Sequence, residues 1–166
     1  TLTMFMVGIA IGQLVHGPIS DRFGRKPAIV GGLCVNVLAT AGCALSDSIE
    51  MLAVFRFIHG VAASSGWLIA RAVIRDRHER DDAARVMSLM LIFHSAGPLL
   101  SPIIGAFLTV HYGWQAMFIF LSVYSLVTTI FFGLTFRETI PAIVPDALKP
   151  GPMVRIFAEI LRSRAF

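Results

Sequence analysis

Asp21, Arg22, Arg25 and Lys26 fall close together between Gly17 and the residues after Gly24, at the end of the first apolar run. Glycine permits a sharp reversal and close backbone approach; the acid suits a helix N-terminus, and the cations suit lipid headgroups or carboxylates. A second candidate is Arg56, enclosed in apolar sequence and followed by His59 and Gly60. It stands about seven residues into its run, roughly 10 Å below the interface at 1.5 Å per residue. A central arginine costs about 2.5–3.5 kcal/mol even on the lower scales, so one that is kept faces a cavity or a partner. His59 has two readings: a proton exchanger with an unperturbed pKa near 6.5, or a hydrogen-bonded packing histidine held neutral by a dry site. The third candidate is the run Gly97, Pro98, Ser101, Pro102, Gly105 and Ala106, small residues at four-residue spacing that let helices approach, with prolines that bend a span. Cys34 and Cys43 lack metal-ligand spacing and read as small packing residues, so no metal and no cofactor is expected.

The elements that must position these residues are membrane spans. The chain has 166 residues, of which 56% are hydrophobic and 14% charged, and its mean hydropathy is +0.77. Soluble domains are nearer a quarter charged, which excludes a soluble enzyme or nucleic-acid-binding domain. Apolar runs at about 2–19, 28–45, 49–74, 83–110 and 114–136 are each long enough to cross a hydrocarbon core of roughly 30 Å. The fold class expected is all-α and polytopic, with residues 1–136 forming a transmembrane bundle.

Lys and Arg fill the turns after the first run (Arg22, Arg25, Lys26) and the third (Arg75, Arg77, Arg80, Arg85), while the turns after the second and fourth have none. The positive-inside rule therefore places the basic turns and the tail in the cytoplasm, and residue 1 outside. On this topology Arg25 and Asp76 end neighbouring spans on one side and are expected to pair. The tail, 137–166, carries Pro141, Pro145, Pro150 and Pro152, then apolar residues at helical spacing. It reads as a cytoplasmic linker with an amphipathic helix at about 153–163. The chain opens on Thr1 in apolar sequence, so no cleavable signal peptide is expected, and five spans starting outside imply an earlier helix.

The stretch Gly17 to Lys26 resembles the loop signature between helices two and three of the major facilitator superfamily, Gly-x-x-x-Asp-Arg-x-Gly-Arg-Arg/Lys. Phe55-Arg56-Phe57-Ile58-His59-Gly60 is similar to the helix-four Arg-Phe-x-Gln-Gly segment, with His59 in place of glutamine. Gly97 to Ala106 resembles the helix-five antiporter signature, with Ser101 and Ala106 replacing glycines. Ala70 to Asp76, Gly113-Trp114-Gln115 and Arg137-Glu138-Thr139 are similar to the drug:proton antiporter branch that includes the Bcr/CflA exporters. The resemblance covers helices two to six and most of the central loop. It implies that helix one and the second six-helix half lie outside this chain.

It further implies a multi-pass inner (plasma) membrane exporter of drugs or other small amphiphilic molecules, working by proton antiport and alternating access. Gly17, Asp21, Arg22, Gly24, Arg25, Lys26 and Asp76 would form the gate. Arg56, His59, Gly60, Trp67, His94 and Gln13 would serve proton coupling or the cavity: Arg56 the coupling, and Arg56, His59, Trp67, His94 and Gln13 the cavity lining. The partners implied are a small-molecule substrate, protons and the bilayer; nucleic acid is not expected. The rival readings are a nutrient-uptake symporter of the same superfamily and a non-transporting membrane scaffold or sensor. An enzyme is not expected, because no nucleophile elbow, metal-ligand spacing or phosphate-binding loop is present.

Overall fold

A computed structural model describes residues 1–140; the Pro-rich linker and the amphipathic helix expected at 153–163 lie outside the described residues. Those residues form five α-helices: α1 (Leu2–Phe23), α2 (Arg25–Ala44), α3 (Ile49–Arg77), α4 (Arg80–Tyr112) and α5 (Trp114–Thr135). All five are long and apolar enough to cross a membrane. Every one exposes large apolar side chains around its outside, among them Leu38, Val54, Phe93, Ile103 and Leu134. That distribution suits a chain whose solvent is lipid.

Helix α1 packs along α3, while α2 lies between α3 and α5; no Cα of α3 comes within 8 Å of one in α5. The α1–α3 seam is made by small residues. A Cβ at Gly8 or Gly12 would run into the α3 backbone at Phe57 or Val61, and one at Gly60 into the carbonyl of Phe5. Lipid tails are as apolar as leucine, so close backbone approach and dispersion, not water exclusion, hold such helices together. The fully buried side chains follow suit: beside Ile69 they are Thr40, Cys43, Ser20 and Ser65. Among the described residues, a cluster of larger apolar groups gathers Ala28, Ile29 and Ile69 with Ile19, Leu68, Phe132 and Phe136 around them. Hydroxyls inside the helices are satisfied locally, as when Thr40 Oγ1 donates to the Asn36 carbonyl at 2.8 Å and Thr129 Oγ1 to that of Ser125 at 2.7 Å.

Three details differ from the reading of the sequence. Helix α1 continues past the apolar run through Asp21 and Arg22 to Phe23, so Gly24 alone makes the reversal, at φ +101°. Likewise Arg75 and Arg77 are helical in α3, and Arg80 and Arg85 in α4, which leaves His78 and Glu79 as the connection. Arginine is a good helix former, and charge ends a hydrophobic stretch without ending a helix. Of the two cysteines only Cys43 is buried; Cys34 is exposed, so it is not the packing residue the sequence suggested.

Candidate functional site

At the end of the bundle where α1 turns into α2, Arg25 is the hub. Its side chain is 10% exposed. Nη1 donates to Asp21 Oδ1 and to Ser20 Oγ, both at 2.6 Å. Nε donates to Asp76 Oδ2 at 2.9 Å, in a pair that joins α2 to the end of α3. The expected partners Arg25 and Asp76 are thus in contact. Gly17 lies one turn earlier in α1, where its carbonyl accepts from Ser20 Oγ at 2.9 Å. Arg22 is exposed, its guanidinium 5.3 Å from the Phe23 ring centre.

Glu138 completes this network, and sequence reasoning did not place it there. Its Oε1 accepts from the backbone N–H of Arg25 at 2.9 Å, and its Oε2 from that of Lys26 at 3.0 Å. Helix α2 has no acidic residue in its first turn, so the unsatisfied N–H groups of a helix start are met by a carboxylate that follows α5. The missing first-turn acid is the signal that points to such a partner. Burial pushes the Glu138 carboxyl up, but the backbone donors of Ile140, Thr139, Lys26 and Arg25 outweigh it and hold it below the ordinary carboxylate range.

Toward the other end of the bundle, Ser48 caps α3 by accepting from the Met51 N–H at 3.1 Å, and two turns on stands Arg56. Its guanidinium carbon is 5.0 Å from the ring centre of Phe5 on α1 and 5.3 Å from that of Phe118 on α5. His59, itself buried, has its ring 4.8 Å from that of Phe5. Arg56 Nε and His59 Nδ1 are both buried without a hydrogen-bond partner among the described residues. Gly60 lets α1 lie directly against this part of α3.

Midway along α1, α3 and α4 lies a cavity of about 350 Å³ lined by Ile9, Gln13, Ala63, Ser64, Trp67 and His94. The structure therefore brings Gln13, Trp67 and His94 together, and keeps Arg56 and His59 off this lining. The His94 and Trp67 ring centres are 4.3 Å apart. Arg71, given no site role from the sequence, has its guanidinium 4.9 Å from the Trp67 ring centre; the four-residue spacing on one helix is the signal for it. Behind the wall, buried His16 holds Nδ1 2.8 Å from the Gly12 carbonyl and 3.1 Å from Ser64 Oγ.

In α4, Pro98 and Pro102 lie inside one continuous helix. Gly97, Pro98, Ser101, Pro102 and Ala106 are exposed, and Gly105 is half-buried. Ser101 and Gly105 border a groove of about 160 Å³ with Met117, Phe120 and Leu121 of α5. Among the described residues no group of His, Cys, Asp and Glu is arranged to hold a metal ion.

The sequence profile of the Major Facilitator Superfamily matches residues 1–166, the whole chain. The chain belongs to that superfamily. Within it, a bicyclomycin resistance protein homolog of Haemophilus influenzae is 34% identical over 126 residues, 76% of this chain and 32% of the relative. The multidrug resistance protein MdtL of Klebsiella pneumoniae is 31% identical over 148 residues, 89% of this chain and 38% of the relative. The chain thus spans about a third of the length of these curated relatives. The crystal structure of the human organic anion transporter MFSD10 (TETRAN) superposes with a TM-score of 0.72 at 22% identity, covering 97% of this chain and 41% of that one. At that identity the likeness is one of superfamily fold, and it agrees with a bundle of membrane-spanning helices.

Proposed function

We propose that this chain forms part of a secondary active transporter that exports drugs or other small amphiphilic molecules across the inner (plasma) membrane by proton antiport and alternating access. The observation that carries the proposal is the cavity between α1, α3 and α4. It lies near the middle of three spanning helices, where substrate sites of such transporters sit. It also presents an indole, an imidazole, an amide and a hydroxyl in an otherwise apolar wall, the mixture an amphiphile needs. Relatives named for bicyclomycin and multidrug resistance support the same class of cargo.

In this reading the network around Arg25 faces the cytoplasm and acts as a latch. Asp21, Asp76 and Glu138 hold one cation and one helix start from three directions, so the ends of α1, α3 and α5 close together or part together. Arg56 and His59 form the polar element through which proton movement is coupled to the cavity. The linker and amphipathic helix expected at 137–166 then lie on the cytoplasmic side.

The test is transport by the full-length protein in everted vesicles, following collapse of a pH gradient on addition of bicyclomycin, chloramphenicol or a cationic dye. Gradient-dependent efflux that disappears in Arg56→Ala is the expected result. Gradient-driven uptake in right-side-out vesicles, with no efflux of any candidate, would establish a symporter instead.

A further inference from the structure

A guanidinium within a spanning helix needs something to offset the loss of water, and a carboxylate is the usual answer. Among the described residues the two ion pairs are both made by Arg25, and Arg56 Nε is buried without a partner. What faces Arg56 is aromatic: Phe5 at 5.0 Å on one helix and Phe118 at 5.3 Å on another. Both distances fall within the reach of a cation–π interaction, whose strength grows when the site is dry. Phe118 is 5% exposed, among the few large apolar side chains buried in this bundle. The Trp114 ring packs against it in a T-shaped contact at 6.0 Å and 84°.

We infer that Phe5 and Phe118 are positioning residues for Arg56, two ring faces on α1 and α5 that hold its guanidinium in place within the membrane. The arrangement has a mechanical side. Helix α3 packs on α1 and α2 but has no backbone contact with α5, so the Arg56 side chain reaches across to α5. A displacement of α5 relative to α1 would therefore unseat the charge, and a change at the charge would be felt by both helices. This deepens the reading in which Arg56 acts in transport, but its test needs no transport.

The test is thermal unfolding of the full-length protein in detergent, as a double-mutant cycle of Arg56→Met and Phe118→Leu together with fluorinated phenylalanines at position 118. Leucine keeps apolar bulk and removes the ring face; successive fluorines keep the shape and drain the face of negative potential. Phe118→Leu is expected to shift the folded-to-unfolded ratio roughly two- to thirty-fold more with Arg56 present than in the Arg56→Met background. The Tm should fall stepwise with each added fluorine. An additive cycle with a flat fluorine series would overturn the inference and leave Phe118 as packing alone. If Phe118→Leu does not fold, the fluorine series decides by itself. A coupled cycle in a protein that exports nothing would keep the clamp and remove the transport reading, and the opposite pair of results would do the reverse.

Discussion

The Glu138 carboxylate bonds to the backbone N–H groups of Arg25 and Lys26 and so ties the end of α5 to the first turn of α2. These donors favour the ionised form, and its pKa in the folded protein is lowered. A lowered carboxylate pKa contributes stability that is fully present above the unfolded value and is lost as pH falls through the folded one. The difference in Tm between wild type and Glu138→Ala should therefore hold steady from neutral pH down to the ordinary carboxylate range and shrink below it. A difference that is constant across that range would show that the carboxylate charge does not matter.

The Arg25–Asp76 pair lends itself to charge exchange. Asp76→Ala removes the acceptor of Nε from a mostly buried site and should destabilise the protein by about 1.5–3 kcal/mol. Asp76→Arg should cost more, and adding Arg25→Glu should recover part of the loss. Recovery is incomplete because Arg25 also serves Asp21 and Ser20, which the exchanged carboxylate would repel or leave unpaired. Chemical or thermal unfolding of the three variants beside wild type measures this, and no recovery would mean that the two residues are not coupled.

Glycines in the bundle should divide by what surrounds them. A methyl group at Gly12 or Gly60 meets backbone of the facing helix, whereas Gly31 and Gly133 have open space. Gly12→Ala and Gly60→Ala should each cost about 1–3 kcal/mol through forced separation of α1 and α3. Gly133→Ala should be neutral or stabilising by up to about 1 kcal/mol, since alanine loses less backbone freedom in a helix. Melting temperatures of the three variants, compared in one detergent, separate the classes.

Trp67 is close to both Arg71 and His94 at the proposed cavity. If it supplies a ring face to cargo, Trp67→Ala should raise KM several-fold with kcat little changed, the pattern of lost uniform binding. Trp67→Phe should recover much of it. Equal losses in kcat and kcat/KM would move Trp67 from cargo binding to the moving parts.

Five spanning helices were legible because hydropathy over about twenty residues is a strong signal. The partners of individual residues were legible only where residue type betrays them. Arg25 and Asp76 have opposite charges at neighbouring helix ends, so topology alone brings them together. Glu138 bonds to main-chain N–H groups, which every non-proline residue carries, and no spacing in the sequence marks which two it reaches. The rings around Arg56 are two of thirteen phenylalanines, and only packing of α1 and α5 selects them. Helix ends lie beyond the apolar runs for a related reason: hydropathy reports the stretch that suits lipid, while α1 goes on through Asp21 and Arg22 to Phe23.

The corners at Gly24 and Gly113 are each a single residue, with φ of +101° and +84°, the two positive values among the described residues. A one-residue connection leaves almost no room for the joined helix ends to slide past one another, so α1 with α2, and α4 with α5, each keep a fixed corner. Slack is available at residues 45–48 and at His78–Glu79, on either side of α3. Lengthening those two connections by a residue or two should be tolerated, whereas one residue added at either glycine would throw the hairpin out of register. Helix α3, carrying Arg56 and Trp67, is then the one helix with a looser connection at each end, and its place is set chiefly by its packing on α1 and α2.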